Sequence, residues 1–554
     1  MNQRPLATLA ILAVIAALGL AIPASAQTVG SSNTATADPT VPRPHTTPCT
    51  VQLFSNLTFA DFSPKPFTYT PPAACPGPWA KVVLEADFSV TAGRQFDRTA
   101  EIALGHVNIY FGTTAEPSAA VSPSWHVERD LTDYSPLFHA AQSGDVNLGN
   151  LVNSTYTGII HGSAAVKLYP AAGFDRAPRT ADVVLPLSSD PGGTSILANT
   201  ASVLGPTFNL PANVEGAYLD VISQSQSGDE FWYTCVPDDV AGELFSCGGT
   251  AFREAQVTVD GQPAGIAPVY PWIFTGGIDP LLWRPIPGVQ TLNFVPYRVD
   301  LTPFAGLLSN GQPHQVGVSV FNANNYFAVA ASLLLYLDHG SSQVTGAVTQ
   351  NTVGTPQAAV QENLSTAPDG TITGSVTTTS ARHFILAGYA DTSHGRVETK
   401  VLQDVQFSNK QDFVVAAAQY IQNITQTTTV SSGTETTGGH SAAALTGSHF
   451  SFPLTLDITE NFNADGSFSL TTASDQKYDV QAAGVGGGPP TLSLISNEVS
   501  SKDTLLFNAS GSITGYQDRN SSQTYSSLTT DGGCYKRTIT SVNGVLTSVT
   551  DGCH

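Results

Sequence analysis

The stretch WAKVVLEADFSVTAGRQFDRTAEIALGHVNIYF at 79–111 decides the fold of this chain. It contains two runs, 81–90 and 102–111, that are rich in β-branched and aromatic residues, which favours strands. The polar segment GRQFDR at 93–98 separates them and predicts a turn or loop. We therefore expect two strands whose connecting loop carries an unusual concentration of charge.

Charged residues are scarce in the chain as a whole, at 12% of all residues, yet they are dense around this stretch. Those on predicted strand ends and loops are Arg94, Asp97, Arg98, Glu101, Glu116, Glu128, Arg129 and Asp130. Loops on a rigid sheet often carry the chemistry of a protein. The alternative for any single residue is a surface ion pair worth about 0 to 1 kcal/mol. We interpret the cluster as a functional site.

The rest of the chain predicts an all-β protein. Short runs rich in Val, Ile, Thr, Tyr and Phe alternate with clusters of Gly, Pro, Asn and Asp. A length of 554 residues is too great for a single core. DLTDYSPL at 130–137 is echoed by DLTPFAGL at 300–307, which indicates two similar β domains, although Asp-Leu-Thr is also a common opening of turns.

These observations divide the chain. We predict domains over 49–200 and 201–340, which together form a unit able to fold without the rest. After 340 the composition shifts to Thr, Ser, Gly and Gln, and we predict a β-rich accessory region over 341–554. Residues 27–48 have few large apolar side chains and predict a flexible leader.

The first 26 residues predict a secretory signal peptide. An apolar run at 6–22 follows Arg4, and Ala-Ser-Ala at 24–26 fits cleavage before Gln27. The mature protein is expected to be secreted or periplasmic, with no membrane partner. Such compartments allow disulfides, and the close cysteine pairs are Cys49 with Cys75, Cys235 with Cys247, and Cys534 with Cys553. Other pairings stay open at this point.

Charge and motif content exclude several classes of function. The net charge of -21 argues against nucleic acid as a partner, and the acidic balance favours tolerance of acid surroundings. The histidines are scattered and no cysteine pair has CxxC spacing, so we expect no metal and no cofactor. The GxSxG, P-loop and HExxH motifs are absent from the sequence.

The segments GRQFDR at 93–98, FWY at 231–233, FRE at 252–254 and TGGIDPLLWRPIPG at 275–288 resemble the plant-type, or A-type, peptide:N-glycanases. The resemblance implies hydrolysis of the amide that joins an N-glycan to asparagine, with N-glycosylated peptides and glycoproteins as substrates. A more distant resemblance to the F-type enzymes implies two adjacent jelly-roll β-sandwich domains. It also implies a catalytic aspartate at Asp97. The F-type glutamate would align near Gly249, so Glu230 and Glu254 are the nearest candidates for a second catalytic carboxylate.

Amide hydrolysis needs an activated water and a protonated leaving nitrogen, which two carboxylates of different pKa can supply. We expect Arg94 and Arg98 to hold Asp97 ionised, and a carboxylate beside a tryptophan to be partly protonated. The predicted substrate-binding residues are Arg94, Arg98, Glu116, Trp232, Arg253, Trp283 and Arg284. For each tryptophan, packing in the core is the alternative. Two other functions stay open: a glycan-binding protein without catalysis, and a glycosidase that cuts between sugars.

Overall fold

The computed structural model describes residues 27–439, 443–486, 488–530 and 533–553. The predicted signal peptide at 1–26 lies outside the described residues. Within them, no helix is both long enough and apolar enough to cross a bilayer. Antiparallel sheets dominate the architecture, which confirms the all-β prediction.

The first group of strands forms two facing sheets, called here the first sandwich. Its strands are β1 (Cys49–Phe59), β2 (Lys65–Tyr69), β3 (Trp79–Val90), β4 (Thr99–Leu104), β5 (Val107–Thr113), β6 (Ser124–Asp130), β7 (Gln142–Asn147) and β8 (Ile160–Pro170). One sheet has the order β1-β8-β3-β6 and the other β2-β7-β4-β5. β8 alternates buried and half-buried side chains along most of its length, as expected for a strand with one face on a core.

The second sandwich repeats this plan. Its strands are β9 (Val183–Pro186), β10 (Thr194–Leu197), β11 (Thr207–Asn209), β12 (Val214–Ser225), β13 (Glu254–Val259), β14 (Gln262–Pro268), β15 (Tyr297–Asp300), β16 (Pro313–Phe321) and β17 (Phe327–Leu337). The orders are β10-β17-β12-β15 and β11-β16-β13-β14, with β9 also on β17. Counted from β1 in the first sandwich and from β10 in the second, both run 1-8-3-6 and 2-7-4-5, so the two sandwiches share one strand order.

The sequence echo falls at matching places in the two sandwiches. Asp130 ends β6, the sixth strand counted from β1, and Asp300 ends β15, the sixth strand counted from β10. Each aspartate accepts a hydrogen bond from the amide two residues on, at 3.0 Å for Thr132 and 2.9 Å for Thr302. A short 3-10 helix follows in both, Thr132–Phe138 and Thr302–Phe304. The repeated Asp-Leu-Thr therefore marks the same turn twice.

The C-terminal sheet is a single antiparallel meander of long strands. They are β18 (Thr345–Asn351), β19 (Ala359–Thr366), β20 (Ile372–Thr392), β21 (Gly395–Ala416), β22 (Gln419–Gly438), β23 (Ala444–Phe462), β24 (Phe468–Val485), β25 (Thr491–Phe507), β26 (Ile513–Thr529), β27 (Gly533–Val542) and β28 (Val545–Gly552). The order follows the chain from β20 to β28, with β18 and β19 both on β20. The other helices described are short: Ser227–Asp229, Trp232–Thr234, Asp238–Ala241, and Ala305–Leu308.

Three disulfides close the pairs that lie near each other in sequence, Cys49–Cys75, Cys235–Cys247 and Cys534–Cys553. The predicted pairing is confirmed. Each bridge closes a short local loop, and the second one holds together the long connection between β12 and β13.

The C-terminal sheet shares a hydrophobic core with the second sandwich. Phe407 of β21 is 4% exposed, and its ring centroid lies 5.0 Å from that of Phe252 and 6.3 Å from that of Trp232. The first sandwich has a largely separate core around β3 and β8. Removing 341–554 would expose one wall of the second core, and the independent folding of 49–340 stays a prediction.

Residues 27–48 form an N-terminal strap rather than the predicted flexible leader. Ala37 is fully buried and its amide donates to Gln523 Oε1 at 2.6 Å. Arg43 pairs with Glu85 and Glu128 of the first sandwich at 2.8 and 2.7 Å. Hydrogen bonds and ion pairs hold this segment, and its low content of apolar side chains does not reveal them.

We expect Phe407→Ala to lower the free energy of unfolding by about 3–5 kcal/mol, the usual cost of emptying a buried phenylalanine site. Denaturant unfolding with a fluorescence signal from the tryptophans measures this change. Gln406→Ala, on the exposed face of the same strand, is the matched control and should change stability little. Equal effects of the two substitutions would show that the sheet is not packed on the second sandwich as described.

Candidate active site

Four loops meet where the two sandwiches adjoin. The GRQFDR loop follows β3, and the segment 114–117 follows β5. From the second sandwich come the long connections at 226–253, between β12 and β13, and at 269–296, between β14 and β15. Loops of this length inside a compact fold usually carry function.

Asp97 lies at the centre of this junction. Its backbone amide donates to Glu116 Oε1 at 3.2 Å, and the amide of Arg98 donates to Thr114 Oγ1 at 2.9 Å. These bonds join the GRQFDR loop to the segment after β5. Gly276 lies against both acids: a Cβ atom there would be 2.5 Å from Glu116 Oε1 and 2.7 Å from Asp97 Oδ1. The glycine therefore lets the loop from the second sandwich approach the carboxylates.

Three carboxylates interact at the junction. Burial raises the pKa of Asp97 from 3.8 to about 7, and the negative charges of Glu116 and Glu230 add to that shift. Burial also raises the pKa of Glu230. The pKa of Glu116 is raised by burial, although the ion pair with Arg284 counteracts this. Like charges that share a partly desolvated site cannot all ionise, so the cluster retains a proton near neutral pH.

The expected ionisation of Asp97 by two flanking arginines is wrong. Arg94 is exposed and lies over the ring of Tyr156, with its guanidinium carbon 5.5 Å from the ring centroid. Arg98 donates from Nη2 to Gln95 Oε1 at 2.8 Å. The charge of Arg98 lowers the pKa of Asp97, but burial and the neighbouring acids outweigh it. No local sequence pattern places Glu116 and Glu230 beside Asp97.

Glu254 does not join the carboxylate cluster. It is 2% exposed at the start of β13 and forms an ion pair with Arg382 of β20. Arg253 is also buried, and its Nε donates to Asp229 Oδ1 at 3.0 Å. Both side chains therefore hold elements together. The structure does not support Glu254 as a catalytic residue or Arg253 as a substrate-binding residue.

The two tryptophans predicted to bind sugar are core residues. Trp232 is fully buried, and Trp283 is 2% exposed. The indole N–H of Trp283 donates to the carbonyl oxygen of Gly277 at 2.9 Å and so fixes the loop beside the carboxylates. Phe96, 44% exposed, and Tyr156, half-buried, remain accessible near Asp97, with ring centroids 5.2 Å apart.

A cavity of about 230 Å³ adjoins Glu116 and Arg284. Its wall includes Tyr516 and Arg519 of β26. Arg519 donates from Nε to the carbonyl oxygen of Leu281 at 3.0 Å and from Nη2 to that of Arg284 at 2.8 Å. The C-terminal sheet, predicted to be accessory, thus holds the backbone of the residue that pairs with Glu116.

Within the described ranges, Glu215, Asp338 and His394 are the potential ligand side chains that come together in a group of three. This group lies outside the carboxylate cluster. Asp338 is fully buried and already accepts hydrogen bonds from Gly340 and Ser393. These contacts join the end of β17 to the turn between β20 and β21, and they give the group a structural role.

The fold and the junction define an all-β protein whose loops carry a buried carboxylate centre suited to general acid–base chemistry. Residues 38–354 match the family model described as peptide N-acetyl-beta-D-glucosaminyl asparaginase amidase A. The peptide-N4-(N-acetyl-beta-glucosaminyl)asparagine amidase A of Prunus dulcis is 30% identical over 525 residues, which cover 90% of this chain and 89% of that protein. The chain belongs to this amidase A family.

Solved structures show a weaker similarity. The structure of PNGase F, a glycosylasparaginase from Flavobacterium meningosepticum, gives a TM-score of 0.35 at 13% identity and covers 52% of this chain and 96% of that one. A structure of PNGF-II gives 0.35 at 13% identity, over 53% of this chain and 66% of that one. A TM-score this low does not establish a shared fold.

Several residues of the site were not predicted. Gly276 and Tyr156 carry no chemical signature of their own, although Gly276 lies inside the TGGIDPLLWRPIPG motif. Arg519 is 235 residues from Arg284, and no local pattern links them. Glu116 was predicted as a substrate contact, whereas its carboxylate accepts the Asp97 amide and pairs with Arg284.

The raised pKa of Asp97 predicts a pH-dependent effect of Asp97→Asn on stability. Between 3.8 and about 7 the unfolded chain ionises this group while the folded chain keeps the proton. The stability that Asp97 contributes is fully present below its pKa in the unfolded chain. It is lost as pH rises through its pKa in the folded protein. The asparagine never ionises, so we expect the variant to gain melting temperature relative to the parent as pH rises from about 4 to about 8.

Thermal unfolding across this range measures the difference. Asp239→Asn, at an exposed position, is the control and should give a flat difference. A flat or falling difference for Asp97→Asn would mean that Asp97 is ionised in the folded protein and is held by its arginine neighbours after all.

Proposed function

We propose that this chain hydrolyses the amide between the first N-acetylglucosamine of an N-glycan and asparagine, which yields a glycosylamine and aspartate. Membership of the amidase A family supports this activity. The matched range 38–354 contains all three carboxylates of the junction. The observation that carries the proposal is the interaction of Asp97, Glu116 and Glu230, because it supplies an acid and a base together.

Asp97 and Glu230 divide the two proton transfers. Burial and the charges of Glu116 and Glu230 raise the pKa of Asp97 to about 7, so we assign the acid role to Asp97 and the base role to Glu230. Ionised Glu230 takes a proton from the attacking water, whose oxygen bonds to the amide carbon. Protonated Asp97 gives its proton to the nitrogen as the carbon–nitrogen bond breaks.

Glu116 positions this pair. The ion pair with Arg284 favours its ionised form, and Oε1 accepts the Asp97 amide N–H. A carboxylate held in this way fixes the loop that carries Asp97 and adds the negative charge that keeps Asp97 protonated. Preorganised groups of this kind lower the barrier because little rearrangement remains during the reaction.

The accessible rim beside Asp97 provides substrate contacts. Phe96 and Tyr156 present apolar ring surface on which a sugar can pack, in place of the buried tryptophans. Arg94 lies over Tyr156 and is exposed. Nε of Arg98 is buried without a hydrogen-bond partner among the described residues, so it can donate to a bound glycopeptide.

Export is part of the proposal. Three disulfides suit an oxidising compartment, which agrees with the signal peptide predicted from sequence. Acid surroundings suit a centre in which Asp97 must hold a proton. The proposed substrates are therefore glycopeptides and glycoproteins outside the cytosol.

Asp97→Asn and Glu230→Gln should each lower the turnover rate by about 100-fold or more, the usual scale for losing a general acid or base. Both conserve size, and neither breaks an ion pair of the described residues. Glu254→Gln is the matched control. It weakens the buried ion pair with Arg382, so it should lower the melting temperature. The turnover rate of the molecules that remain folded should stay close to that of the parent. If either variant turns over at the parental rate, the residue that it replaces takes no part in the chemistry.

The reaction itself is tested by mass spectrometry of a treated glycopeptide. An amidase leaves aspartate and no sugar on the peptide. Asparagine that still carries one sugar would indicate a glycosidase, and an unchanged glycopeptide that nevertheless binds would indicate a lectin. Either result would overturn the proposed function.

Arg519→Met should lower turnover by about 10- to 100-fold, because small displacements of a reacting group cost that much. The substitution releases the backbone of Arg284 and so loosens Glu116. Arg537→Met, which removes an arginine paired with Asp551 in the same sheet, should leave turnover within about twofold, as surface ion pairs contribute little. Equal rates for the two variants would remove Arg519 from the active-site framework.

A further inference from the structure

The turn that carries Glu230 opens the long connection at 226–253. The chain leaves β12 at Ser225, forms the short 3-10 helix Ser227–Asp229, and reaches Glu230 directly after it. The amide of Glu230 donates to the carbonyl oxygen of Ser227 at 3.1 Å. A single turn has too few internal hydrogen bonds to hold its own shape. Contacts from outside the turn must therefore fix the direction of the Glu230 side chain.

Asp229, the residue before Glu230, makes such contacts. Its side chain is fully buried. Oδ2 accepts the backbone amides of Asn324, Asn325 and Tyr326 at 2.9, 2.7 and 3.0 Å. These three amides belong to the loop between β16 and β17. Hydrogen bonds to an ionised acceptor are about twice as strong as neutral ones, so one carboxylate binds the turn firmly to this loop.

The other oxygen of Asp229 joins the start of the long connection to its end. Oδ1 accepts a hydrogen bond from Arg253 Nε at 3.0 Å, and Arg253 Nη1 donates to the carbonyl oxygen of Thr250 at 2.9 Å. The side-chain amide of Asn322 donates to Thr250 Oγ1 at 3.0 Å. Both ends of the connection are therefore hydrogen-bonded to the single loop at 322–326.

Asp229 is not placed to transfer a proton itself. Its side chain has no accessible surface, and its charge is paired with that of Arg253 at 3.0 Å. A water molecule or a substrate cannot reach a carboxylate enclosed in this way. Any effect of Asp229 on the reaction must act through the residue next to it in the chain, Glu230.

We infer that Asp229 is a positioning residue for the amide hydrolysis, because it fixes the turn that directs Glu230 toward Asp97. This inference rests on the proposed function, in which Glu230 takes a proton from the attacking water. A general base must lie within hydrogen-bond reach of that proton. A displacement of about 1 Å can lower the rate by roughly 100-fold, so a firm hold on the turn affects catalysis as well as folding.

A double-mutant cycle in the mature chain tests the inference. Asp229→Asn should lower kcat on an N-glycosylated peptide by about 10- to 100-fold, because the base is displaced. KM should change little, since Asp229 does not touch the substrate. In the Glu230→Gln background the same substitution should change kcat by less than about twofold, because the base that Asp229 positions is already absent.

Asp260→Asn is the matched control for the cycle. It removes a carboxylate of the second sandwich that accepts the amide of Gln315 at 2.9 Å, in the turn between β13 and β14. This turn lies outside the connection at 226–253, so kcat should equal that of the parent. Rates are measured below the melting temperature of each variant, so that only folded molecules are compared.

The outcomes separate this inference from the proposed function. Parental kcat for Asp229→Asn would overturn the inference alone. An equal loss in both backgrounds would also overturn it, because Asp229 would then act on the fold in general and not through Glu230. Parental kcat for Glu230→Gln would overturn the assignment of the base, and the inference would fall with it.

Arg253→Lys covers the case in which Asp229→Asn does not fold. Lysine keeps a positive charge for Asp229 but lacks the fixed fork of the guanidinium. We expect kcat to fall by at least about threefold in the parent, because the turn is held less firmly, and to stay unchanged in the Glu230→Gln background. Unchanged kcat in the parent would overturn the inference.

Discussion

Buried amide side chains of the C-terminal sheet hold the irregular loops of the second sandwich. Gln411 donates to the carbonyl oxygen of Cys235 at 2.9 Å, Gln422 to that of Thr234 at 3.0 Å, and Gln476 to that of Pro271 at 2.6 Å. Long loops inside a protein carry backbone groups that must find partners. The amide side chains of the C-terminal sheet are these partners. The position of the loops at the carboxylate centre depends on the hydrogen bonds that they donate.

This supporting role was not predicted from the composition of the C-terminal region, which indicated an accessory sheet. A sheet rich in Thr, Ser and Gln has the character of a solvated appendage, and its outer face is indeed exposed. The inner face pairs uncharged amides with carbonyl oxygens, which satisfies both groups without the desolvation cost of a buried charge. The residues Trp232–Thr234, which directly follow Glu230 and Phe231, are held between this face and the second sandwich.

Local patterns predicted strand β3 and the loop that carries Asp97, because alternation and turn residues occupy neighbouring positions, but the predicted run 102–111 divides into β4 and β5 at Gly105 and His106. The burial of Trp232 depends on Phe407, which no local pattern places nearby. The raised pKa of Asp97 likewise depends on burial and on Glu116 and Glu230, which only folding brings together. The burial and the neighbours of a side chain depend on long-range contacts, whereas the type of secondary structure depends largely on nearby residues. The candidate residues were therefore easier to predict than their roles.

The N-terminal strap has a consequence for how the protein reaches its native state. The amide of Ala37 donates to Gln523, so the first described segment of the chain is held by a residue 486 positions further on. Contacts of such separation form late, because the entropy of closing a long loop is lost before they contribute. The strap and the loops that rest on the C-terminal sheet therefore lack their partners until that sheet has folded.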